Sequence, residues 1–258
     1  MTTKKTILSE KELNLVENLI AEYGVIVNFE QIFSQLKDNL GRQGTRNLVS
    51  KVVKNGWLVR IKKGVYYITT LESRGVANIS EFIIAQTLET NSYISFESAL
   101  QYHKVFDQHL RVVASINLKR KKEKEIQKTI YQFIKTTEKN YYGWEEVQIE
   151  NRMVKVATLE KAILDILSFN RTVHSIDFVL EKLKEYGRNF DWEKLNDLSR
   201  NQSATVQRIL GFLLDKTGIN SEYLYNLVEK SKNSSSYMTK DSDLFNAKWR
   251  LYCHNHFK

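Results

Sequence analysis

The hydrophobic pattern changes its period within the first 70 residues, and this change constrains the fold more than any other feature. Three segments repeat apolar side chains every three to four positions, which predicts three amphipathic helices. These segments are residues 9–24, 28–36 and 45–55. The two runs that follow, 57–61 and 65–68, have a period near two. Gly64 and two lysines join them, so we expect a β-hairpin directly after the third helix.

Short local signals predict where these helices begin and end. Ser9 with Glu12, and Asn28 with Gln31, have the spacing of a capping box at a helix start. Gly56 follows the third segment and is expected to adopt the left-handed conformation that ends a helix. Three helices and a hairpin, with a short turn between helices two and three, is the order of a winged helix-turn-helix domain. We therefore expect such a domain over residues 1–70.

The third predicted helix has two chemically different faces. Leu48, Val49, Val52 and Val53 form an apolar face, and the opposite face carries cations and amides without a carboxylate. Such side chains suit a DNA groove lined by phosphates and base-edge acceptors. With the hairpin cations, the candidate DNA-binding residues are Arg42, Gln43, Arg46, Asn47, Ser50, Lys51, Lys54, Arg60, Lys62 and Lys63. The alternatives are a solvated surface helix and a KH-type GXXG loop at 41–44, which lacks the flanking strand and helix order of that fold.

Positive charge is concentrated in two short blocks. Residues 37–63 contain eight lysines and arginines and one aspartate, whereas 111–128 contain seven against two acids. A surface polarised in this way is typical of a polyanion-binding protein, and nucleic acid is the commonest polyanion; acidic proteins and anionic lipid remain alternatives. The second block includes the run Lys119, Arg120, Lys121 and Lys122. This run is either a solvated loop or a second contact for nucleic acid or a partner protein.

The rest of the chain predicts a second, mixed domain over residues 80–258, after a linker at 69–78. Expected strands lie between residues 93 and 157, with helices at 80–88 and 96–103, and the part from 158 to 230 is helical. The serine-rich stretch 231–243 predicts a mobile loop. The predicted fold class is therefore α+β, with an N-terminal winged helix-turn-helix and a mixed domain that ends in helices.

Composition limits the compartment. The single cysteine, Cys253, cannot form an internal disulfide, so nothing in the fold requires an oxidising environment. The longest nearly apolar run, 209–214, spans six residues, whereas a membrane span needs about 20. The first residues lack the apolar core of a signal peptide. We therefore expect a cytoplasmic protein that has no membrane partner.

Five segments, in order, resemble those of AbiEi-type antitoxins, the transcriptional regulators of bacterial type IV toxin–antitoxin or abortive phage infection systems. They are VRIKKGVYYI in the hairpin, YISFESALQYH at 93–103, VATLEKAILDIL at 156–167, QRILGFLLDKTG at 207–218 and AKWRL at 247–251. The resemblance implies a winged helix that binds operator repeats in double-stranded DNA and represses the operon. It also implies a C-terminal domain that antagonises a nucleotidyltransferase-like toxin without needing a stable complex. Lys104 departs from the family, which often has glycine there.

The resemblance also carries over a set of polar residues in the C-terminal domain. These are Ser95, Glu97, Ser98, Tyr102, His103, Glu160, Lys161, Asp165, Arg208 and Lys248. Three interpretations of this set are open. The residues serve as helix caps and other structural elements, they line a binding pocket, or they form a catalytic site. For the architectural alternative, Ser95 and Thr158 have the positions of helix N-caps, and Glu160 lies in a first helical turn. The segment around Ser95 lacks the glycines that expose a hydrolase serine, which argues against catalysis.

Enzymatic and metal-binding functions find little support in the residues. No Asp or Glu is followed by Lys at the two-residue spacing of a common nuclease core, and no GxxxxGK phosphate loop is present. Cys253, His254 and His256 are too few for a closed structural zinc site. We expect a DNA-binding autorepressor and antitoxin that is not an enzyme and uses no cofactor or metal. The alternative is an interaction protein that sequesters its toxin directly and docks through its winged helix.

Overall fold

A computed structural model describes residues 8–231 and 233–258, and it has a mixed α+β fold. The chain divides into two compact units. The first comprises residues 8–90 together with 125–128, and the second comprises 91–124 and 129–258. In the described part of the chain, no helix combines the length and the apolar character needed to cross a membrane.

The first unit consists of helices around a small antiparallel sheet. Its elements are α1 (Glu10–Tyr23), β1 (Ile26–Asn28), α2 (Phe29–Leu36), α3 (Arg42–Lys54), β2 (Leu58–Lys62), β3 (Val65–Ile68) and α4 (Glu81–Leu88). The strand order is β1-β3-β2. Sequence analysis did not predict β1, which pairs Ile26 with Tyr67. The core of this unit includes Leu19 from α1, Ile32 from α2 and Val49 from α3.

The predicted caps of these helices are confirmed. Ser9 and Glu12 form a reciprocal capping box, as do Asn28 and Gln31. Gly56 has a φ of +82°, and its N–H donates to the Val53 carbonyl. The next N–H, of Trp57, donates to the Val52 carbonyl, which completes the Schellman pattern expected of a left-handed glycine. α3 begins at Arg42, three residues before its predicted start.

The stretch 69–78 packs within the first unit. Arg74 donates two hydrogen bonds to the Asn55 carbonyl and stacks on the Trp57 ring, and the Gly75 N–H donates to the Gly56 carbonyl. α4 also belongs to the first unit, since the boundary lies at residue 90. Sequence analysis grouped α4 with the C-terminal domain because its helical period carries no information about which unit it packs against.

The second unit is built on a larger mixed sheet and a group of helices. Its elements up to β9 are β4 (Ser92–Ile94), α5 (Phe96–Tyr102), β5 (Val112–Asn117), β7 (Thr129–Lys135), β8 (Trp144–Ile149) and β9 (Arg152–Ala157). The short strand β6 (Lys124–Ile126) falls mostly within residues 125–128 of the first unit. Five of these strands lie in the order β7-β5-β4-β9-β8. The helices that follow are α6 (Leu159–Phe169), α7 (Val173–Glu185), α8 (Trp192–Ser199), α9 (Ala204–Thr217) and α10 (Glu222–Glu229). Residues 159–167 of α6 are all buried, so α6 forms the centre of this unit.

The stretch 231–243 was predicted to be a mobile loop, and among its described residues the structure forms one short strand that was not predicted. β10 (Ser236–Tyr237) lies in it and pairs with β12 (Leu251–Cys253), which also pairs with β11 (Leu244–Asn246). The side chain of Arg208, on α9, donates to the carbonyls of Ser231 and Ser234 and holds this stretch in place. Serine-rich composition could not reveal a partner from another element.

Candidate nucleic-acid interface

α3 presents the predicted polar face to solvent. Val49 and Val52 point into the core of the first unit, whereas all seven candidate residues of this helix are exposed. They are Arg42, Gln43, Arg46, Asn47, Ser50, Lys51 and Lys54. The two faces therefore separate as the helical period predicts.

Phe29 joins the beginning of α3 to the turn of the hairpin. Its backbone N–H donates to the Gly64 carbonyl at 2.8 Å, which fixes the turn beside the start of α2. The guanidinium groups of Arg42 and Arg46 lie 5.6 Å and 6.0 Å from the centre of the Phe29 ring. The first turn of α3 and the hairpin turn thus form one continuous surface. Sequence analysis did not identify Phe29 as part of this surface.

Two of the cations on α3 have carboxylate partners on other helices, although α3 itself carries no carboxylate. Arg42 pairs with Glu30 at 2.5 Å, and both side chains are exposed. Lys51 pairs at 2.8 Å with Glu12, which is buried. Burial alone raises the pKa of Glu12, but hydrogen bonds from Lys51 and Ser9 outweigh it and hold the pKa below its usual value. Glu12 and Glu30 lie on other helices, out of reach of an analysis of one helical face.

The other cations of the candidate set are less constrained. Arg46 makes one long hydrogen bond, 3.5 Å from Nη1 to the Gln43 side chain, whose amide donates to Asn47. Lys54 and Lys63 are exposed, as is Arg60, and none of these three forms an ion pair within the described ranges. Lys62 differs, because it is half-buried and its Nζ lies 3.4 Å from the Leu88 carbonyl. The cations most available to an anionic ligand are therefore Arg46, Lys54, Arg60 and Lys63.

The second basic run lies on the surface of the second unit. Lys119, Arg120, Lys121 and Lys122 are exposed between β5 and β6. The Asn117 side chain donates to the Lys119 carbonyl and so fixes the beginning of this connection. The run remains a candidate contact for a phosphate backbone or a partner.

Three polar side chains of the second unit meet at the carboxylate of Asp165, which is fully buried. Lys161 Nζ lies 2.5 Å from Asp165 Oδ1, and Ser95 Oγ donates to Oδ2 at 2.6 Å. The Tyr93 hydroxyl donates to the same Oδ2 at 3.2 Å. Burial raises the pKa of Asp165 against the opposing effect of Lys161, and burial and Asp165 together raise the pKa of Tyr93. Because none of these side chains is accessible, this cluster is suited to holding β4 and α6 together.

Other family-like polar residues also have structural partners. Ser95 has the N-cap position of α5 as predicted, but its side chain makes no capping hydrogen bond and its hydroxyl donates to Asp165 instead. Thr158 caps α6 as predicted. Glu160 is buried and accepts the Asp191 N–H at 3.0 Å. His103 lies 2.8 Å from the Ala157 carbonyl, and Ser98 accepts the Ala114 N–H.

Remaining residues of the set lie apart from the Asp165 cluster. Glu97 is half-buried on α5, beside its neighbour Ser98, and Tyr102 packs edge-on against His103. Arg208 is buried beneath the stretch 231–236. Lys248 pairs with Asp215 at 2.7 Å, and Asp215 also accepts the Trp249 indole N–H. No group of three or more His, Cys, Asp or Glu side chains in the described ranges is arranged to hold a metal ion.

Comparisons with known proteins give a structural likeness only. No family model and no curated protein matches the chain. The fold is similar to the crystal structure of the RV2827C protein from Mycobacterium tuberculosis, with a TM-score of 0.68. The two chains are 12% identical, and the similarity covers 95% of this chain and 92% of that one. At this identity the likeness supports the α+β fold and no statement about function.

Proposed function

We propose that this protein is a DNA-binding transcriptional autorepressor whose first unit is a winged helix-turn-helix domain. The order of its elements, helix, strand, helix, helix and a strand pair, is that of such domains. The observation that carries the proposal is the exposed polar face of α3, continuous through Phe29 with the hairpin turn. In this proposal α3 lies in the major groove and the hairpin contacts the phosphate backbone.

The structure suggests different roles for the two arginines at the beginning of α3. The Glu30 carboxylate engages Arg42, whereas Arg46 has only a long hydrogen bond to Gln43. An arginine that reads a guanine needs both amino groups free for a bidentate contact. We therefore assign base recognition to Arg46 and a positioning role to Arg42.

A binding series with the full-length protein and duplex DNA from upstream of its own gene tests this assignment. Arg46→Ala should weaken binding to that duplex by about 1–3 kcal/mol and relax specificity at one base pair. Lys184→Ala, which removes an exposed cation from α7 of the second unit, is the matched control and should bind normally. An equal loss on random duplex would reduce Arg46 to a phosphate contact. Unchanged binding by Arg46→Ala would exclude α3 as the recognition helix.

We further propose that the protein is a cytoplasmic antitoxin that antagonises a nucleotidyltransferase-like toxin. This part rests on the resemblance to AbiEi-type antitoxins. The segments that carry this resemblance contact one another in the structure, which supports the resemblance as a whole. A hydrogen bond from Ser95 to Asp165 joins the segments at 93–103 and 156–167. Asp215 and Lys248 join those at 207–218 and 247–251.

Growth rescue tests the antitoxin proposal. The full chain and its Arg46→Ala variant, expressed from an unrelated promoter, are paired with a nucleotidyltransferase-like toxin encoded next to the gene. Both proteins should restore growth if antagonism is separate from DNA binding. Rescue by the wild type alone would mean that repression is the whole mechanism, and a stable complex in size-exclusion chromatography would favour direct sequestration. No rescue by either protein would overturn the antitoxin proposal.

A further inference from the structure

The small C-terminal sheet of the second unit displays a row of three aromatic rings. Tyr237, Tyr252 and Phe245 lie at paired positions on β10, β12 and β11. The rings of Tyr237 and Tyr252 are stacked, with centroids 4.5 Å apart and planes 10° apart, and the Phe245 ring lies 5.0 Å from that of Tyr252. The two outer members of the row are 56% and 50% exposed.

The opposite face of this sheet is buried, so the aromatic row is on its outer face. Ser236, Met238, Leu251 and Cys253, which alternate with the aromatic residues, are all buried. Cross-strand aromatic pairs stabilise a short sheet, and the Tyr237–Tyr252 pair has this role here. That role does not require the outer rings to be exposed to solvent. Exposed aromatic rows on small sheets are also the surfaces on which single-stranded nucleic acids stack their bases.

Positive charge lies at the β10 end of the row. Arg250 directly precedes β12 and donates from Nε to the Ser234 carbonyl at 3.0 Å. Arg208 Nη2 lies 3.2 Å from the hydroxyl of the same serine and 3.0 Å from its carbonyl. In the described part of the chain, neither guanidinium group pairs with a carboxylate, and the buried Nε of Arg208 has no hydrogen-bond partner. Two adjacent uncompensated cations thus face one exposed serine loop.

The lowered pKa of Arg208 is consistent with the same excess of positive charge. Burial lowers the pKa of Arg208, and the nearby charge of Arg250 lowers it further. A phosphate group beside Ser234 would relieve this repulsion and receive hydrogen bonds from Arg250. At the other end of the row, Asp243 precedes β11 and accepts from Asn255. A polyanion is therefore favoured at the β10 end and disfavoured at the β11 end.

We propose that this surface binds single-stranded nucleic acid. Bases stack on the open ring faces of Tyr237 and Phe245, and the sugar-phosphate backbone contacts the guanidinium group of Arg250. This site is separate from α3 and does not depend on the proposed DNA-binding function. Its aromatic rings stack on unpaired bases, whereas α3 is proposed to contact the groove of duplex DNA.

Fluorescence anisotropy with the full-length protein tests the proposal, using labelled 12-nucleotide single-stranded RNA and DNA of mixed sequence. The wild type should bind, and Tyr237→Leu combined with Phe245→Leu should weaken binding at least tenfold, since base–aromatic stacking is lost while the apolar surface remains. Tyr237→Phe should bind like the wild type because the ring is kept. Met153→Ser, at a comparably exposed apolar residue on β9, is the control and should change nothing.

Two further variants separate this site from α3. Arg250→Gln should weaken single-strand binding and reduce its salt dependence. Arg46→Ala should leave single-strand binding intact while weakening duplex binding. Thermal unfolding of each variant identifies those that fail to fold. Absence of single-strand binding by the wild type, or leucine variants that fold and bind equally well, would overturn the proposal and favour a protein partner on the aromatic row.

Discussion

Gly211→Ala tests whether the segments at 207–218 and 247–251 depend on each other through one close contact. A Cβ added to Gly211, on α9, would lie 2.1 Å from Cη2 and 2.3 Å from Cζ3 of the Trp249 ring. Real Cβ atoms do not approach carbon this closely, so the ring must move. Trp249 is fully buried, and its indole N–H is held by Asp215 at 2.7 Å. The ring therefore has no free direction in which to move.

The magnitude follows from two opposing effects. Overpacking a core costs about 1–3 kcal/mol, and complete loss of a tryptophan's packing costs about 3–5 kcal/mol, so the clash should cost about 3 kcal/mol. Alanine is a better helix former than glycine by about 1 kcal/mol, which offsets part of this cost. We expect Gly211→Ala to lower the free energy of unfolding by about 2 kcal/mol, or the melting temperature by about 4–8 °C.

The sign of the effect should reverse when the ring is absent. In a Trp249→Leu background the clash disappears, and Gly211→Ala should then stabilise the protein by up to about 1 kcal/mol through helix propensity alone. Urea unfolding monitored by circular dichroism measures all four proteins of this double-mutant cycle. If Gly211→Ala costs the same with and without the Trp249 ring, the close contact is not the cause and the reasoning is refuted.

Three other changes test separate parts of the structure. The ionised Glu12 side chain stabilises the wild type above about pH 4.5, and this stability is lost as the pH falls through the lowered pKa of Glu12. Glu12→Gln should lack this contribution, so the stabilities of the two proteins in acid unfolding should converge at low pH. Lys63→Ala should reduce the salt slope of duplex binding by about 0.9, and Lys62→Ala should reduce it less because Leu88 holds its ammonium group. Asp165→Asn should destabilise the protein by about 3 kcal/mol by leaving Lys161 buried and unpaired, and growth rescue should fall only in proportion to lost stability.

Local signals in the sequence predicted most helices and strands correctly. The capping boxes at Ser9 and Asn28 act over three residues, so they are readable without knowledge of the fold. β1 was missed because it has three residues and depends on pairing with β3, about 40 positions away. β10, within the stretch 231–243, was missed for a similar reason, because it depends on pairing with β12.

The candidate interface could be predicted in part. The exposed face of α3 follows from the helical period, and the structure places every candidate residue of that helix in solvent. The partners of Arg42 and Lys51 could not be predicted, because Glu30 and Glu12 are brought close only by tertiary packing. Ser95 shows the same limit: its position is that of an N-cap, but a carboxylate 70 residues away competes for its hydroxyl.

The residues shared with the antitoxin resemblance indicate where function should be sought. Ser95 with Asp165, Gly211 with Trp249, and Asp215 with Lys248 are contacts between segments that are distant in sequence, and several of these side chains are buried. Packing and ion pairing between the segments account for these residues without any role in chemistry. Residues that are explained by contacts inside the fold do not indicate which partner binds the protein. The contacts proposed for DNA and for single-stranded nucleic acid use exposed groups instead, on the α3 face and on the aromatic row of the C-terminal sheet, and the run 119–122 is exposed as well.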